Sequence, residues 1–111
     1  MAKFMILYRS PVDATAQMAS ATPEQAQEGM AAWMRWAEQA GPAIVDLGSP
    51  VGNSRLVPLG GADGTGTPIG GFSILQADSA DDVAKVLNGH PHLQMPGAVI
   101  EVLEYLPMPG M

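Results

Sequence analysis

An unbroken apolar run marks the first predicted strand, over residues 3–9, in which positions 4–8 read Phe-Met-Ile-Leu-Tyr. A strand of this composition presents hydrophobic side chains on both faces of its sheet, so both faces need cover. The predicted last strand, residues 98–106, has apolar side chains at both odd and even positions as well. Shorter runs predict strands over residues 43–47 and 69–77, and residues 55–57 look strand-like within the Gly- and Pro-rich connection between them.

Helical spacing of apolar residues occurs twice between these strands. Thr22 and Gln25 form a capping-box start, and apolar residues then recur at 26, 30, 33, 37 and 40 until a Gly-Pro pair ends the helix. Ser79 caps a second helix, which an Asn-Gly pair ends at positions 88 and 89. Residues 10–21 lack a sustained period and are predicted to form a loop.

The predicted element order is therefore βαββαβ. This order is typical of the ferredoxin-like α+β fold, an antiparallel sheet with both helices on one face. The helices leave the second face uncovered, although the first and last strands are apolar on both sides. A second copy would cover that face with self-complementary geometry, so we expect one domain over residues 1–111 and a twofold homodimer of face-packed sheets.

Composition restricts the class of partner. The chain has 111 residues, no cysteine, and 11 acidic against 5 basic residues, for a formal net charge of −6. This charge argues against nucleic acid or an anionic membrane surface as the main partner. No apolar run approaches the roughly 20 residues of a membrane span, and the N-terminal residues show no signal-peptide pattern, so we expect a cytoplasmic protein. The glycines of residues 52–68 lack the strand-to-helix setting of a phosphate-binding loop, and no cofactor is expected.

The topology brings the residues with chemistry to one edge of the sheet, which we call the upper edge. The first two strands run toward this edge, and the segment between the second helix and the last strand lies beside it. Six residues are expected there: Tyr8, Arg9, Asp46, Ser49, His90 and His92.

His90 and His92 are the candidate acid–base groups, because imidazole changes charge near neutral pH and a carboxylate such as Asp46 can orient it. Two structural alternatives stay open. His90 can cap the end of the second helix while His92 fills a loop, and Asp46 can organise a turn beside Gly48. A metal site is not expected, since His-x-His with one carboxylate and no cysteine has no recognised ligand spacing.

Arg9, Tyr8 and Ser49 are the candidate substrate-binding residues. Arg9 can clamp an anionic group with two parallel hydrogen bonds, or it can pair with an acidic residue at the strand end. Tyr8 is expected in the core, with its hydroxyl as its one chemical asset. Ser49 lies outside any nucleophile-elbow motif and is not a triad candidate.

Several segments together resemble the YCII-related (YciI-like) family. They are residues 3–9, the helix with Trp33 and Trp36 that ends in Ala40-Gly41, Asp46-Leu47-Gly48, Ile69-Gly70-Gly71-Phe72, and Gly89-His90-Pro91-His92-Leu93 before Ile100-Glu101-Val102. The resemblance implies a dimeric α+β barrel of two ferredoxin-like protomers. It also implies a site with one His and one Asp, matched here to Asp46 and to His90 or His92, in an enzyme-like family without an agreed reaction.

The resulting functional prediction is a cleft at the upper edge that binds a small polar or anionic organic molecule, with His and Asp available for acid–base chemistry. Whether the protein is an enzyme stays open; the residue set fits a cofactor-independent isomerase, lyase or hydrolase. The alternative is a non-catalytic accessory or ligand-sensing dimerisation module, in which the sheet face and the Pro- and Met-containing tail serve assembly. A pocket that joins Asp46, a histidine and Arg9 favours the first, and side chains turned apart favour the second.

Overall fold

A computed structural model describes residues 1–57 and 67–110. Its strands are β1 (Ala2–Arg9), β2 (Ile44–Pro50), β3 (Ile69–Ala77) and β4 (Val99–Glu104). Its α-helices are α1 (Ala14–Ser20), α2 (Pro23–Ala40) and α3 (Ala80–Leu87), and short 3-10 turns occupy Gly41–Ala43 and Pro91–Gln94. The predicted alternation of strands and helices is confirmed, with α1 as an additional element.

The four strands form one antiparallel sheet in the order β2-β3-β1-β4. β1 is central and pairs with β3 on one side and β4 on the other, so that Arg9 lies opposite both Ile69 and Val99 at the upper edge. This order and direction are those of a ferredoxin-like α+β fold, as the sequence predicts.

The hydrophobic core lies between one sheet face and the helices α2 and α3. Alternate residues of β1 point into it, and they are joined by residues of β3 and of both helices. The buried members are Phe4, Ile6, Tyr8, Trp36, Leu75, Ala77, Val83 and Leu87. The side chains of β1 on this face are therefore apolar because they are buried in the core, as the sequence predicts.

Neither α2 nor α3 packs on the other sheet face, which we call the open face. The ladder partners place Met5, Leu7 and Arg9 of β1 on it, beside Phe72 and Ile74 of β3 and beside Val99, Glu101 and Leu103 of β4. Several of these apolar side chains are exposed, including Met5 at 36%, Leu103 at 40% and Val99 at 50%. These side chains together form an exposed apolar patch on the sheet.

Helix α2 begins at the predicted capping box. The Thr22 hydroxyl accepts a hydrogen bond from the Gln25 amide at 3.1 Å, and the Gln25 side chain accepts one from the Thr22 amide at 2.9 Å. Ser79 caps α3 in the same manner, accepting from the Asp82 amide at 3.1 Å. Both predicted helix starts are therefore confirmed by the bonds that cause them.

The prediction of a loop over residues 10–21 is wrong, because this segment contains helix α1. Asp13 caps the helix by accepting a hydrogen bond from the Thr15 amide at 2.7 Å. None of the seven residues of α1 is buried. Apolar periodicity reports which helix face is buried, so a helix without a buried face gives no periodic signal.

Five strand boundaries also differ from prediction, the first being that of β1, which begins at Ala2 and not at residue 3. β2 begins one residue late and continues to Pro50, while β4 is shorter at both ends than residues 98–106. The strand-like residues 55–57 form no strand. Most of the glycines predicted to punctuate the connection before β3 fall at residues 58–66, which lie outside the described residues. Within the described ranges, no helix is both long enough and apolar enough to cross a membrane.

Candidate functional site

His90 and His92 are both buried in the turn that leads from α3 to β4. His90 is fully buried, and its Nδ1 accepts a hydrogen bond from the His92 backbone amide at 3.0 Å. His90 therefore caps the N-terminal end of the 3-10 turn Pro91–Gln94. The alternative in which His90 caps the end of α3 holds for its backbone alone: Asn88 is the C-cap residue, and the His90 amide donates to the Leu87 oxygen at 3.0 Å. The imidazole acts here as an acceptor, which an uncharged ring can do.

The His90 ring is enclosed by three aromatic rings. Ring centroids lie 4.4 Å from Trp36, 4.5 Å from Trp33 and 5.0 Å from Tyr8. We call these four residues the aromatic enclosure. Burial, and secondarily the neighbouring His92, lower the pKa of His90 to about 4. The ring is consequently neutral at physiological pH.

His92 lies beside this enclosure, with its ring 5.3 Å from that of Tyr8. Its Nε2 is 2.8 Å from the backbone oxygen of Arg9 and 3.2 Å from that of Val99. Both partners are carbonyl acceptors, so Nε2 must carry a proton and donate it. In the neutral ring the remaining lone pair is then on Nδ1, which is the atom that can take up a proton.

Tyr8 lies at the end of a buried chain of hydroxyl groups. Its hydroxyl is 2.8 Å from the hydroxyl of Ser73, which donates to the backbone oxygen of Leu47 at 2.6 Å. Since the Ser73 proton is used by Leu47, Tyr8 is the donor to Ser73. Burial raises the pKa of Tyr8 to about 12. The phenol is thus protonated and ties β1 to β3 and β2.

Arg9 directs its side chain away from the histidines, onto the open face. Its Nε forms an ion pair of 2.8 Å with Glu101 of β4, and its Nη1 donates to the backbone oxygen of Thr67 at 2.8 Å. Only its backbone oxygen contacts His92. The alternative of pairing with an acid at the strand end is therefore the one that the structure adopts.

Asp46 also lies on the open face, well below the upper edge. It is opposite Ile74, which in turn pairs with Met5 near the middle of β1. Its Oδ1 accepts a hydrogen bond from the Gly48 amide at 2.8 Å, which is the turn-organising role foreseen as its alternative. Within one chain, Asp46 and the histidines are on opposite faces of the sheet.

Ser49 lines a hollow of about 500 Å³ at the upper edge, between β2 and α1. The other lining residues are uncharged: Ala14, Thr15, Met18, Pro50, Val51, Gly52 and Asn53. The Ser49 hydroxyl donates to the backbone oxygen of Pro50 at 2.9 Å. This hollow is a cleft at the predicted edge, but it contains none of the predicted charged or titratable residues.

The structure thus brings together Tyr8, His90 and His92, and separates them from Asp46, Ser49 and the Arg9 side chain. Ser73 was missed as a member of the cluster, although a serine at a core-facing position of an apolar strand is the kind of signal that indicates a buried hydrogen bond. Among the described residues, no three His, Asp or Glu side chains are grouped so that they could hold a metal ion.

Similarity to known proteins is found at the level of the fold. No family model and no curated protein matches the sequence, so the YCII resemblance remains an interpretation of the motifs. A solved structure with a similar fold is 5-chloro-2-hydroxyhydroquinone dehydrochlorinase from Burkholderia phenoliruptrix AC1100, in complex with 2,5-dihydroxybenzoquinone. The TM-score is 0.48 at 20% sequence identity, over 91% of each chain. At these values we base no functional argument on the likeness.

Proposed function

We propose that this chain binds a small polar or anionic organic molecule at the upper edge of the sheet, where the His90–His92 pair takes part in acid–base chemistry. One observation carries the proposal: the Nε2 atom of His90 is completely buried and has no hydrogen-bond partner among the described residues. A buried polar group without a partner costs about 1–3 kcal/mol and is rare in native proteins. Buried, perturbed titratable groups cluster at functional sites more than elsewhere.

His92 is the proposed proton acceptor. The two carbonyl oxygens at its Nε2 fix the tautomer that leaves Nδ1 basic. This is the arrangement that a general base needs, with one nitrogen anchored and the other available.

The proposal also includes a second copy of the chain, packed on the open face. A second chain packed on the open face would cover its exposed apolar side chains without leaving the Arg9 charge unpaired, because Glu101 already neutralises it within one chain. The proposed roles of Asp46 as orienting group or base, and of Arg9 as anion clamp, depend on that second chain, since neither side chain contacts the histidines within its own.

The alternative function is a non-catalytic accessory or ligand-sensing dimerisation module. Two observations favour it: Arg9 and Asp46 are engaged in structural bonds, and the hollow beside Ser49 has no titratable lining residue. In this alternative the open face and the C-terminal tail serve assembly, and a ligand acts only by stabilising the dimer.

A ligand screen separates the two functions. A panel of small organic acids and carbonyl compounds is tested for thermal stabilisation and turnover of the wild-type protein, followed by His92→Gln and Asp46→Asn. We expect at least one hit whose binding or turnover falls about tenfold or more in His92→Gln. Glu28→Gln, at an exposed position on α2, is the matched control and should behave as wild type.

The same screen contains the contradicting outcomes. Hits that bind equally to all variants without turnover favour the accessory module. The absence of any hit, or a loss of stability alone in His92→Gln, makes the histidine pair a structural cap and overturns the proposed function.

A further inference from the structure

The tautomer of His90 determines whether its buried Nε2 atom is a hydrogen-bond donor or an acceptor. The His92 backbone amide donates to Nδ1 at 3.0 Å, so Nδ1 holds a lone pair. In a neutral imidazole the other nitrogen then carries the proton. Nε2–H of His90 is therefore a hydrogen-bond donor sealed from solvent without an acceptor among the described residues. Aromatic rings can accept such a proton only weakly.

The three aromatic residues around His90 differ in the hydrogen bonds that fix their side chains. Trp36 donates its indole Nε1–H to the backbone oxygen of Val86 at 3.0 Å, and Tyr8 donates to Ser73. Trp33 makes no side-chain hydrogen bond with the residues that the structure describes, and it is half-buried whereas Trp36 and Tyr8 are buried. Trp33 is thus the wall that lies nearest to solvent and the one whose displacement breaks no hydrogen bond.

We propose that displacement of Trp33 opens a binding site in which Nε2–H of His90 donates to the carbonyl or carboxylate oxygen of a flat organic molecule. The site has one buried donor in an apolar surrounding, and its fixed walls are the rings of Trp36 and Tyr8. A planar molecule can pack against these rings while its oxygen satisfies the one unpaired donor. This inference rests on the proposed function for its biological meaning, and it adds the ligand class and the entry point.

The experiment uses three probes of similar size that each contain one benzene ring: benzoate and benzamide, which offer an sp² oxygen, and benzylamine, which offers none. The His90 ring nitrogens are observed by proton–nitrogen NMR during titration of the full chain. We expect the Nε2–H signal of His90 to be present in the free protein and to shift with benzoate and benzamide. Benzylamine should leave it unchanged.

Substitution of the movable wall tests the entry point. Trp33→Ala removes the side chain that must move, and should strengthen binding of benzoate or benzamide about tenfold or more. Met34→Ala, at an exposed position beside it on α2, should leave the affinity as in wild type. His90→Phe keeps an aromatic ring without the donor and should weaken binding about tenfold. Where Trp33→Ala does not fold, Trp33→Leu makes the same comparison.

Three results overturn the inference: a proton found on Nδ1 of His90, equal binding of benzylamine and benzoate, or probe binding that does not move the His90 signal. The last result means that the probe binds elsewhere on the protein. Failure of the proposed function is separate. If binding of a screening hit depends on His92 but is unaffected by Trp33→Ala and His90→Phe, the proposed function is supported and this inference is overturned. Benzamide binding at His90 that is unaffected by His92→Gln, with no turnover of any screened compound, does the reverse.

Discussion

At the scale of single residues, His90 is where the chain departs most from ordinary behaviour. Its imidazole is fully buried between aromatic rings, where water cannot solvate a charge. The neutral ring is stabilised because it accepts from the His92 amide, and a protonated ring would lose that bond. A histidine held neutral in this way makes the stability of the protein depend on pH.

We therefore expect stability to fall on acidification below the ordinary histidine pKa of about 6.5. The unfolded chain takes up a proton there, whereas folded His90 remains neutral down to its pKa of about 4. Its stabilising contribution is complete above pH 6.5 and is lost progressively between these values. By pH 5 the loss is about 2 kcal/mol, at about 1.4 kcal/mol per unit.

Urea unfolding of wild type and His90→Phe at pH 7 and pH 5 measures this difference. The carboxylates contribute equally to both proteins, so the wild type should lose about 2 kcal/mol more than the variant between the two pH values. Parallel losses in the two proteins would mean that folded His90 titrates normally.

At the scale of elements, β2 is shaped by one glycine. Gly48 has a backbone φ of +86°, and a Cβ atom built there would overlap the backbone oxygen of Phe72 on β3. The irregular register between Asp46 and Ser49 lies at this position, and the Asp46 carboxylate holds the Gly48 amide. The bulge lets β2 continue past Leu47 to Pro50, which is why the strand is longer than its apolar run predicts.

Gly48→Ala should therefore lose at least about 3 kcal/mol of unfolding free energy, because it combines backbone strain with a clash against a paired strand. Gly89 is the matched control: its φ is +77°, but a Cβ atom there would meet nothing within 4 Å. Gly89→Ala should cost about 1 kcal/mol, from strain alone. Urea denaturation compares the two, and equal losses would show that the strands separate easily at Phe72.

At the scale of the whole molecule, the described structure is a flat slab. Its principal extents are 45 × 40 × 20 Å, and its radius of gyration of 15.2 Å exceeds the roughly 13 Å of a compact domain of this length. One sheet and one helix layer account for the short dimension. The open face is the broad surface of this slab, and it carries the exposed apolar side chains of β1 and β4.

We expect light scattering at micromolar concentration to give the mass of two chains, with Met5→Lys giving that of one. The new lysine would be buried without a partner in the interface, which should weaken association about a hundredfold or more. Met30→Lys is the control, because Met30 is 63% exposed on α2, away from the open face. Each variant should keep its fold. A wild-type monomer, or a dimeric Met5→Lys, contradicts the proposed interface.

The sequence by itself determined the parts of this protein that depend on neighbours in the chain. Helix α2 follows from the Thr22–Gln25 capping box, and α3 follows from the Ser79 cap, since these bonds join residues three apart. The strands β1 and β3 follow from runs of apolar residues, and the element order then restricts the sheet to few topologies. Helix α1 was not predicted, because none of its residues is buried. The spacing of apolar residues reveals a helix only when one face of it is buried.

The tertiary structure alone decided which candidate residues meet. His92 reaches the Arg9 backbone oxygen across 83 positions, and Tyr8 reaches Ser73 across 65. Adjacent residues on a strand point to opposite faces, so the side chains of Tyr8 and Arg9 part at the upper edge although they are neighbours in sequence. Asp46 is carried to the open face by the register shift between Ile44 and Asp46, a feature set by pairing with β3. Chain order specifies the edge that a residue approaches; the face it occupies depends on register, which only the paired strands establish.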